Sequence, residues 1–241
     1  MLGAARTGAW AKSGSPTPAA YGGLRFTAEA ANSSVQLKAV RSAPAVMLIK
    51  SFDGVNWEDY TVGDVIELPS IGDFVYLAAG EGGNETFASS SSIYNQFVIN
   101  GLVAASGDIT SLRNFDLVQT TLAPYCYYRM FYNCTGLTRA PELPATTLKG
   151  SCYQEMFYNC IGLTRAPELP ATTLSANCYK QMFRRCTQLS LIKVHFTDWR
   201  SQTNSWVSEV ASTGTFYKPS ALPEVFGVSR IPTGWTVVNI D

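Results

Sequence analysis

The chain has 241 residues, of which 46% are hydrophobic and only 15% are charged, with 18 basic residues balancing 18 acidic ones. This length allows one large core or two small ones. Because the neutral balance provides no basic face, nucleic acid and anionic membrane surfaces are excluded as expected partners, whereas near-zero net charge favours association with other protein chains.

Residues 1–23 form a segment rich in Ala, Gly, Ser and Pro. Arg6 and Lys12 interrupt it, so it lacks the apolar core of a secretory signal, and it has no Cys for a lipid anchor. No run here or later is long and apolar enough to predict a membrane-spanning helix. We expect an anchoring arm that packs on a partner through Trp10, Pro16 and Tyr21.

Residues 24–105 have the pattern of a β domain. Apolar and polar residues alternate over 24–28 and 35–39, which is typical of half-buried strands. Asp53-Gly54 predicts a hairpin turn. About seven short strands at regular spacing, with no helical period, favour an Ig-like β-sandwich.

Residues 106–189 contain an internal repeat of 26 residues. The segment 126–134 returns at 152–160 and again at 178–186, and the twelve residues at 137–148 are identical to those at 163–174. A fixed period of this length is typical of a solenoid, in which each unit buries its apolar face against its neighbours. Residues 106–125 match the repeat poorly and are predicted to be its entry unit.

Each repeat is predicted to pair a short helix with an extended segment. Cys126, Met130 and Cys134 are spaced at i, i+4 and i+8, which places one apolar stripe on a helix, and Gly136 would end it. The Ala-Pro-Glu-Leu-Pro segment that follows cannot be helical because its prolines lack a donor and restrict the preceding residue.

The six cysteines all lie in the repeats, as three Cys-x7-Cys pairs. Helical positions eight apart are separated by about 12 Å along the axis, too far for a disulfide. Bonding between repeats, as from Cys126 to Cys152, stays open, but we favour small buried apolar residues. Zinc is disfavoured by this spacing and by the presence of a single histidine, His195. No metal or cofactor is predicted.

Residues 190–241 are predicted to form a capping α+β tail. Residues 192–196 alternate like a final strand, and Trp206, Val207 and Val210 mark one face of a short helix ended by Gly214. Strands are expected near 215–217 and 235–238.

No catalytic residue is predicted. His195 has Asp198 nearby in sequence but no nucleophile placed beside it, so a structural role is favoured. Glu142 and Glu168 lie one repeat apart at a spacing that suits a glycosidase pair, but as copies in the same environment they lack the distinct settings that an acid and a base need.

The repeat unit resembles the BspA-like leucine-rich repeats. Met-Phe-x2-Cys-x2-Leu followed by Leu-Pro carries the resemblance over roughly residues 117–197. With the N-terminal β domain and the segments after Gly214, the chain is similar to virion proteins of gut Bacteroidales phages, crAss-like phages among them. The resemblance implies a mainly β fold with short helices, an Ig-like sandwich and then a short leucine-rich-type solenoid.

The function that this resemblance implies is that of a non-catalytic virion structural protein: a head fibre, a decoration protein or a tail-associated protein. Expected partners are other capsid or tail proteins, further copies of the chain, for example in a trimer, and a host-surface glycan or protein. The repeats would present Tyr127, Tyr128, Arg139, Tyr153, Tyr158 and Arg165 to solvent or host. Packing between subunits is an equal alternative for the aromatic residues.

A bacterial cell-surface adhesin with leucine-rich repeats is the alternative function. It would place the chain on the cell envelope instead of in a virion assembled in the host cytoplasm. A glycan-active enzyme is disfavoured because no titratable residues converge in the sequence pattern.

Overall fold

The computed structural model describes residues 23–241, which form thirteen β-strands and two short 3-10 helices. Trp10, Pro16 and Tyr21 of the predicted arm lie outside the described residues. The strands are β1 Leu24–Ala28, β2 Ser33–Val40, β3 Leu48–Ser51, β4 Glu58–Tyr60, β5 Val65–Leu68, β6 Phe74–Ala79, β7 Ala88–Ser90, β8 Ile93–Asn100, β9 Val103–Ser106, β10 Leu137–Arg139, β11 Leu191–Lys193, β12 Thr215–Lys218 and β13 Thr236–Asn239. The 3-10 helices are Ile109–Leu112 and Ser201–Thr203. The prediction of a mainly β chain is confirmed.

The first part of the chain is built from two packed sheets. Their strand orders are β10-β9-β1-β6-β3-β4 and β5-β2-β8-β7. Period-2 alternation turns one face of each strand inward, so that Phe26 of β1 meets Phe97 of β8 with ring centroids 4.9 Å apart. The antiparallel pairing of β3 with β4 confirms the hairpin predicted at Asp53-Gly54.

The repeats contain no α-helix, and the helix predicted over Cys126–Cys134 is wrong. The segment is a row of tight turns in which every fourth residue has a positive φ, as at Tyr125 (57°), Arg129 (54°) and Asn133 (61°). Residues between them close i→i−3 hydrogen bonds, such as Met130 N to Tyr127 O at 3.2 Å. We call each such row, at 125–134, 151–160 and 177–186, a turn rung.

Neighbouring turn rungs are joined by backbone hydrogen bonds, and these explain why the helix does not form. Phe131 N donates to Met156 O at 2.9 Å, and Phe157 N donates to Met182 O at 3.0 Å. An α-helix would direct these N–H groups to carbonyls of its own segment. The next repeat offers a near-identical row of carbonyls instead, so the turns are satisfied between repeats.

A fourth turn rung follows at 201–210, where a short helix was predicted from Trp206, Val207 and Val210. Phe183 N donates to Trp206 O at 2.9 Å, and Ser205 and Glu209 have positive φ. The helix prediction is wrong here too. The stacked partners are 23 residues apart in this last step, against 25 from Phe131 to Met156, and this shortening hides the fourth unit from a search at a fixed period.

The hydrophobic core runs without a break from the sheets into the turn rungs. Phe97 N in β8 donates to Met130 O at 2.7 Å, and β10 of the first repeat pairs with β9 in parallel. One cluster of buried residues extends from Leu24 to Trp235. The predicted division at 105/106 therefore falls inside a shared core.

All six cysteines are free and buried, which confirms their interpretation as small core residues. Cys160 Sγ donates to Phe131 O at 3.1 Å and Cys186 Sγ to Phe157 O at 3.0 Å, so each thiol contacts the preceding turn rung. Burial raises the pKa of Cys186 to about 12, so this thiol stays protonated at neutral pH.

Two columns of stacked aromatic rings form the centre of the turn rungs. The rings of Phe131 and Phe157 lie 5.5 Å apart, and those of Phe157 and Phe183 lie 5.7 Å apart, with interplanar angles of 8° and 3°. Phe97 of the sheets begins this column. The second column contains Phe87, Tyr127, Tyr153, Tyr179 and Trp206.

Candidate partner-binding surface

The geometry of a turn rung decides which side chains reach solvent. After each positive-φ residue, the first two side chains point inward, as Met130 and Phe131 do, and the next two point to the outer side. On that side Tyr128, Gln154 and Glu155 are nevertheless covered by their neighbours. Tyr127 and Tyr153 occupy inward positions and are 0% and 1% exposed. The prediction that these two tyrosines face solvent or a host is therefore wrong, because they form the second aromatic column.

Tyr128 is also buried, at 1% exposure, but in a separate place. It packs with Tyr94 and Ala88, at the junction between the sheets and the first turn rung. Its ring meets that of Tyr94 edge to face at 5.4 Å. The prediction that Tyr128 faces solvent is therefore wrong. Its ring instead packs the first turn rung against the sheets.

The outward side chains of the turn rungs form one continuous surface, which we call the turn face. The first turn rung provides Arg129, Tyr132 and Asn133, the second Tyr158 and Asn159 with Glu155 only 6% exposed beneath Arg129, and the third Lys180, Gln181, Arg184 and Arg185. Of the tyrosines predicted from sequence, Tyr158 is the one on this surface, where it is half-buried.

Tyr132 and Tyr158 make the main aromatic feature of the turn face. Their rings stack with centroids 4.8 Å apart and an interplanar angle of 14°. The guanidinium of Arg184 lies 5.9 Å from the Tyr158 centroid and continues the column. Stacking between identical repeats holds these side chains in fixed positions.

Arg129 is the centre of a partly buried network beside this pair. Its Nη2 lies 2.6 Å and its Nε 2.8 Å from Oε2 of Glu155, whose other oxygen accepts from Gln154 Nε2 at 3.0 Å. The guanidinium also lies 4.7 Å from the Tyr132 centroid. Burial alone would lower the pKa of Arg129, but its hydrogen bonds to Tyr94 and Glu155 outweigh this effect and raise the pKa.

Arg139 and Arg165 lie away from the turn face, on the side of the repeats that carries the strands. Arg139 ends β10 with 69% of its side chain exposed, and its Nη2 is 3.4 Å from Glu29 Oε1. Arg165 is exposed and forms an isolated bridge with Leu191. The two arginines are thus accessible, but they are not brought together with the tyrosines.

The acidic residues considered for catalysis lie on the same strand side. Glu168 Oε1 is 2.6 Å from His195 Nε2 and 2.8 Å from Lys193 Nζ, and the hydrogen bond from Lys193 is the main cause of the lowered pKa of Glu168. Glu142 is exposed, and its backbone forms an isolated parallel β-bridge with that of Asp108. Within residues 23–241, no group of three or more His, Cys, Asp and Glu side chains is placed to hold a metal ion.

Sequence reasoning missed Tyr94, Arg129, Tyr132 and Glu155. The sequence did carry a signal for Arg129, Tyr132 and Glu155. These residues lie in the x-x pairs of Cys-Tyr-x-x-Met-Phe-x-x-Cys, which vary between repeats and occupy the outer side of the turn rungs. Arg129 and Glu155 are opposite charges exactly one 26-residue period apart, so stacking the repeats brings them together. Tyr94 comes from β8, and nothing local in its sequence links it to the repeats.

The turn face is suited to non-covalent recognition. It offers stacked tyrosine rings and guanidinium groups, which recur at the centres of protein interfaces, together with side-chain amides. Asn159 Nδ2 donates to Asn133 Oδ1 at 3.1 Å, so these two amides join neighbouring turn rungs.

Comparison with family models, with curated proteins and with solved structures gives no match to this chain. Along residues 23–241, no helix has the length and apolar character needed to cross a membrane.

Proposed function

We propose that this chain is a non-catalytic structural protein of a phage virion, such as a head fibre, a decoration protein or a tail-associated protein. In this proposal the two packed sheets are an Ig-like sandwich, and the turn rungs with their strands are a short solenoid of the leucine-rich type. Residues 1–23 would anchor the chain to a capsid or tail protein. The virion, assembled in the host cytoplasm, would be its location.

The observation that best supports a contact role is the turn face. Tyr132, Tyr158 and Arg184 form a surface column that is held from below by the buried ring columns and from the side by the Arg129–Glu155 pair. A surface fixed in this way loses little conformational freedom on binding. A host-surface glycan or protein, or a neighbouring subunit, would bind there.

The first test is localisation. Particles from a producing culture would be purified by density gradient and compared with the cell envelope by quantitative proteomics. The proposal expects the chain in particles at a fixed ratio to the major capsid protein. Recovery in the envelope, with none in particles, would reject it.

The second test separates host contact from a purely structural role. Tyr158→Ala on the turn face is compared with Tyr217→Ala, which truncates another half-buried tyrosine on β12, on the strand side. We expect Tyr158→Ala to lower the particle adsorption rate roughly tenfold, the loss of one interface anchor, and Tyr217→Ala to leave it unchanged. Equal adsorption of both variants and of particles lacking the chain would leave only the structural role.

A bacterial cell-surface adhesin is the second candidate, and the resemblance of the repeats to BspA-like repeats favours it. The turn face would then bind a host or matrix component from the cell envelope. The same fractionation separates the two functions, because an adhesin is recovered with the envelope in cells that produce no particles.

A further inference from the structure

The end of the stack farthest from the two sheets is left open. There β11, β12 and β13 form a parallel sheet in that order, and the outer edge of β13 has no strand neighbour within residues 23–241. Thr236 N donates to Gly214 O at 2.9 Å and Ile240 N to Lys218 O at 3.0 Å. By the alternation of a parallel ladder, the N–H and C=O groups of Val237 and Asn239 therefore point away from β12.

This edge lacks the features that usually prevent strand pairing. Edge strands are commonly protected by Lys, Pro or a bulge, but β13 reads Thr-Val-Val-Asn, with Pro232 four residues before the strand and the nearest charged side chain, Asp241, two residues after it. A strand that pairs with its own copy places residues near their equivalents, so an uncharged edge avoids like charges across the contact.

The turn side of the same end carries three exposed apolar side chains. Val228 O accepts from Val207 N of the fourth turn rung at 3.2 Å, which places residues 225–231 one layer beyond that rung. Val225, Phe226 and Val228 are 45%, 45% and 55% exposed. These three side chains form an exposed apolar patch, the Phe226 patch, beside the exposed Glu224 and the half-buried Arg230.

The opposite end of the stack is closed. Phe87 N and Phe97 N of the sheets donate to Cys126 O and Met130 O of the first turn rung, and β9 covers β10. Within residues 23–241, the other edge strands outside the repeats are β4, β5 and the three-residue β7. β4 and β5 carry Glu58, Asp59 and Glu67, whereas β13 carries no charge, so its own copy is the edge that matches it best.

We propose that two copies of this chain pair through β13 in antiparallel orientation, which joins their three-stranded sheets into one sheet of six strands. Val238 lies on the two-fold axis, opposite its own copy. The outward groups of Val237 and Asn239 then bond to those of Asn239 and Val237 in the partner. The Phe226 patches close over the turn side, and the symmetry makes a dimer instead of a trimer or a fibre.

The test is the mass of the purified chain in solution, measured by light scattering after size exclusion and by sedimentation velocity at micromolar concentrations. We expect two chain masses for the wild type. Val238→Lys sets two lysines against each other on the axis and should give one chain mass. Circular dichroism and a thermal melt check that the variant is folded.

Val65→Lys is the matched control, because Val65 is a 50% exposed valine on β5, another edge strand at the end of the four-stranded sheet. It should remain dimeric. Phe226→Ser, which leaves β13 unchanged, should weaken the dimer at least roughly tenfold, as expected for loss of a buried aromatic anchor.

A wild-type monomer, a trimer, or a dimer that Val65→Lys disrupts and folded Val238→Lys does not, would each overturn the proposal. None of these outcomes depends on whether the chain is found in virions.

Discussion

The two sheets and the turn rungs bury their cores in different ways. In the sheets, each strand alternates its side chains, and Phe26 meets Phe97 across the layer. In the turn rungs, the backbone adopts a left-handed residue every fourth position and repeated side chains stack on their own copies. Apart from the parallel β9–β10 pair, the strands of the two sheets bond to antiparallel neighbours, whereas the turn rungs bond to the next repeat as well as within each turn.

This difference shows that a four-residue spacing of apolar residues does not by itself specify a helix. Cys126, Met130 and Cys134 would share a helix face, and they also share the inner face of a turn rung. A left-handed backbone costs about 1–2 kcal/mol for each residue other than glycine. Such a backbone persists here because the stacked columns and the bonds between repeats stabilise it.

The largest expected effect comes from interrupting a buried column in the middle turn rung. Phe157→Ala removes a fully buried ring that stacks on Phe131 and Phe183. We expect the free energy of unfolding to fall by about 3–5 kcal/mol. Chemical denaturation followed by circular dichroism would measure the loss.

Phe52→Ala is the control outside the turn rungs, since Phe52 in the loop after β3 is 49% exposed and its truncation should change stability by no more than about 0.5 kcal/mol. Because the core is shared, Phe157→Ala should also lower the midpoint at which the sheets unfold. Two separate transitions, with that of the sheets unchanged, would contradict the continuous core.

Much of the architecture could be predicted from the sequence. The strands of the sheets were predictable because Leu24–Ala28 and Ser33–Val40 alternate on a local period of two. The burial of the cysteines was predictable from their place in the repeat. In both cases the residue pattern that decides which side chains are buried recurs at a fixed spacing along the chain.

The features that were missed depend on contacts distant in sequence. Whether Phe131 lies in a helix or a turn rung is decided by a carbonyl 25 residues away, at Met156, and not by local spacing. The inward position of Tyr127 follows from Phe87, which starts its column from within the Gly- and Ser-rich segment 80–92. The turn face could be partly predicted once the inward pairs were known.

The second prediction concerns the Arg129–Glu155 pair between turn rungs. Glu155→Ala leaves a partly buried guanidinium without its carboxylate, and we expect a loss of about 3 kcal/mol in unfolding free energy. Combining it with Arg129→Met in a double-mutant cycle should give a coupling energy of more than about 1 kcal/mol.

The control pair is Arg139 with Glu29, which joins β10 to the loop after β1 at the exposed surface. Removing either partner should cost less than about 1 kcal/mol, and high salt should reduce the effect. If the two pairs prove equally weak, the Arg129 network would not be what holds the turn face in position.

The smallest expected effect concerns the residues with a left-handed backbone. Glycine substitution should change the free energy of unfolding in opposite directions at the adjacent residues Gln181 and Lys180. Gln181 has φ of 53° and is partly exposed, and its side chain makes no hydrogen bond within residues 23–241, so Gln181→Gly relieves backbone strain without removing a hydrogen bond described there. We expect it to stabilise the chain by about 0.5–1 kcal/mol.

The control is Lys180→Gly, one residue earlier at negative φ. It should destabilise the chain by a similar amount because glycine there only adds conformational freedom to the unfolded chain. Thermal unfolding of the two variants would measure the difference. If both substitutions destabilise the chain, the left-handed backbone at Gln181 is not strained, and the bonds between repeats need not compensate for it.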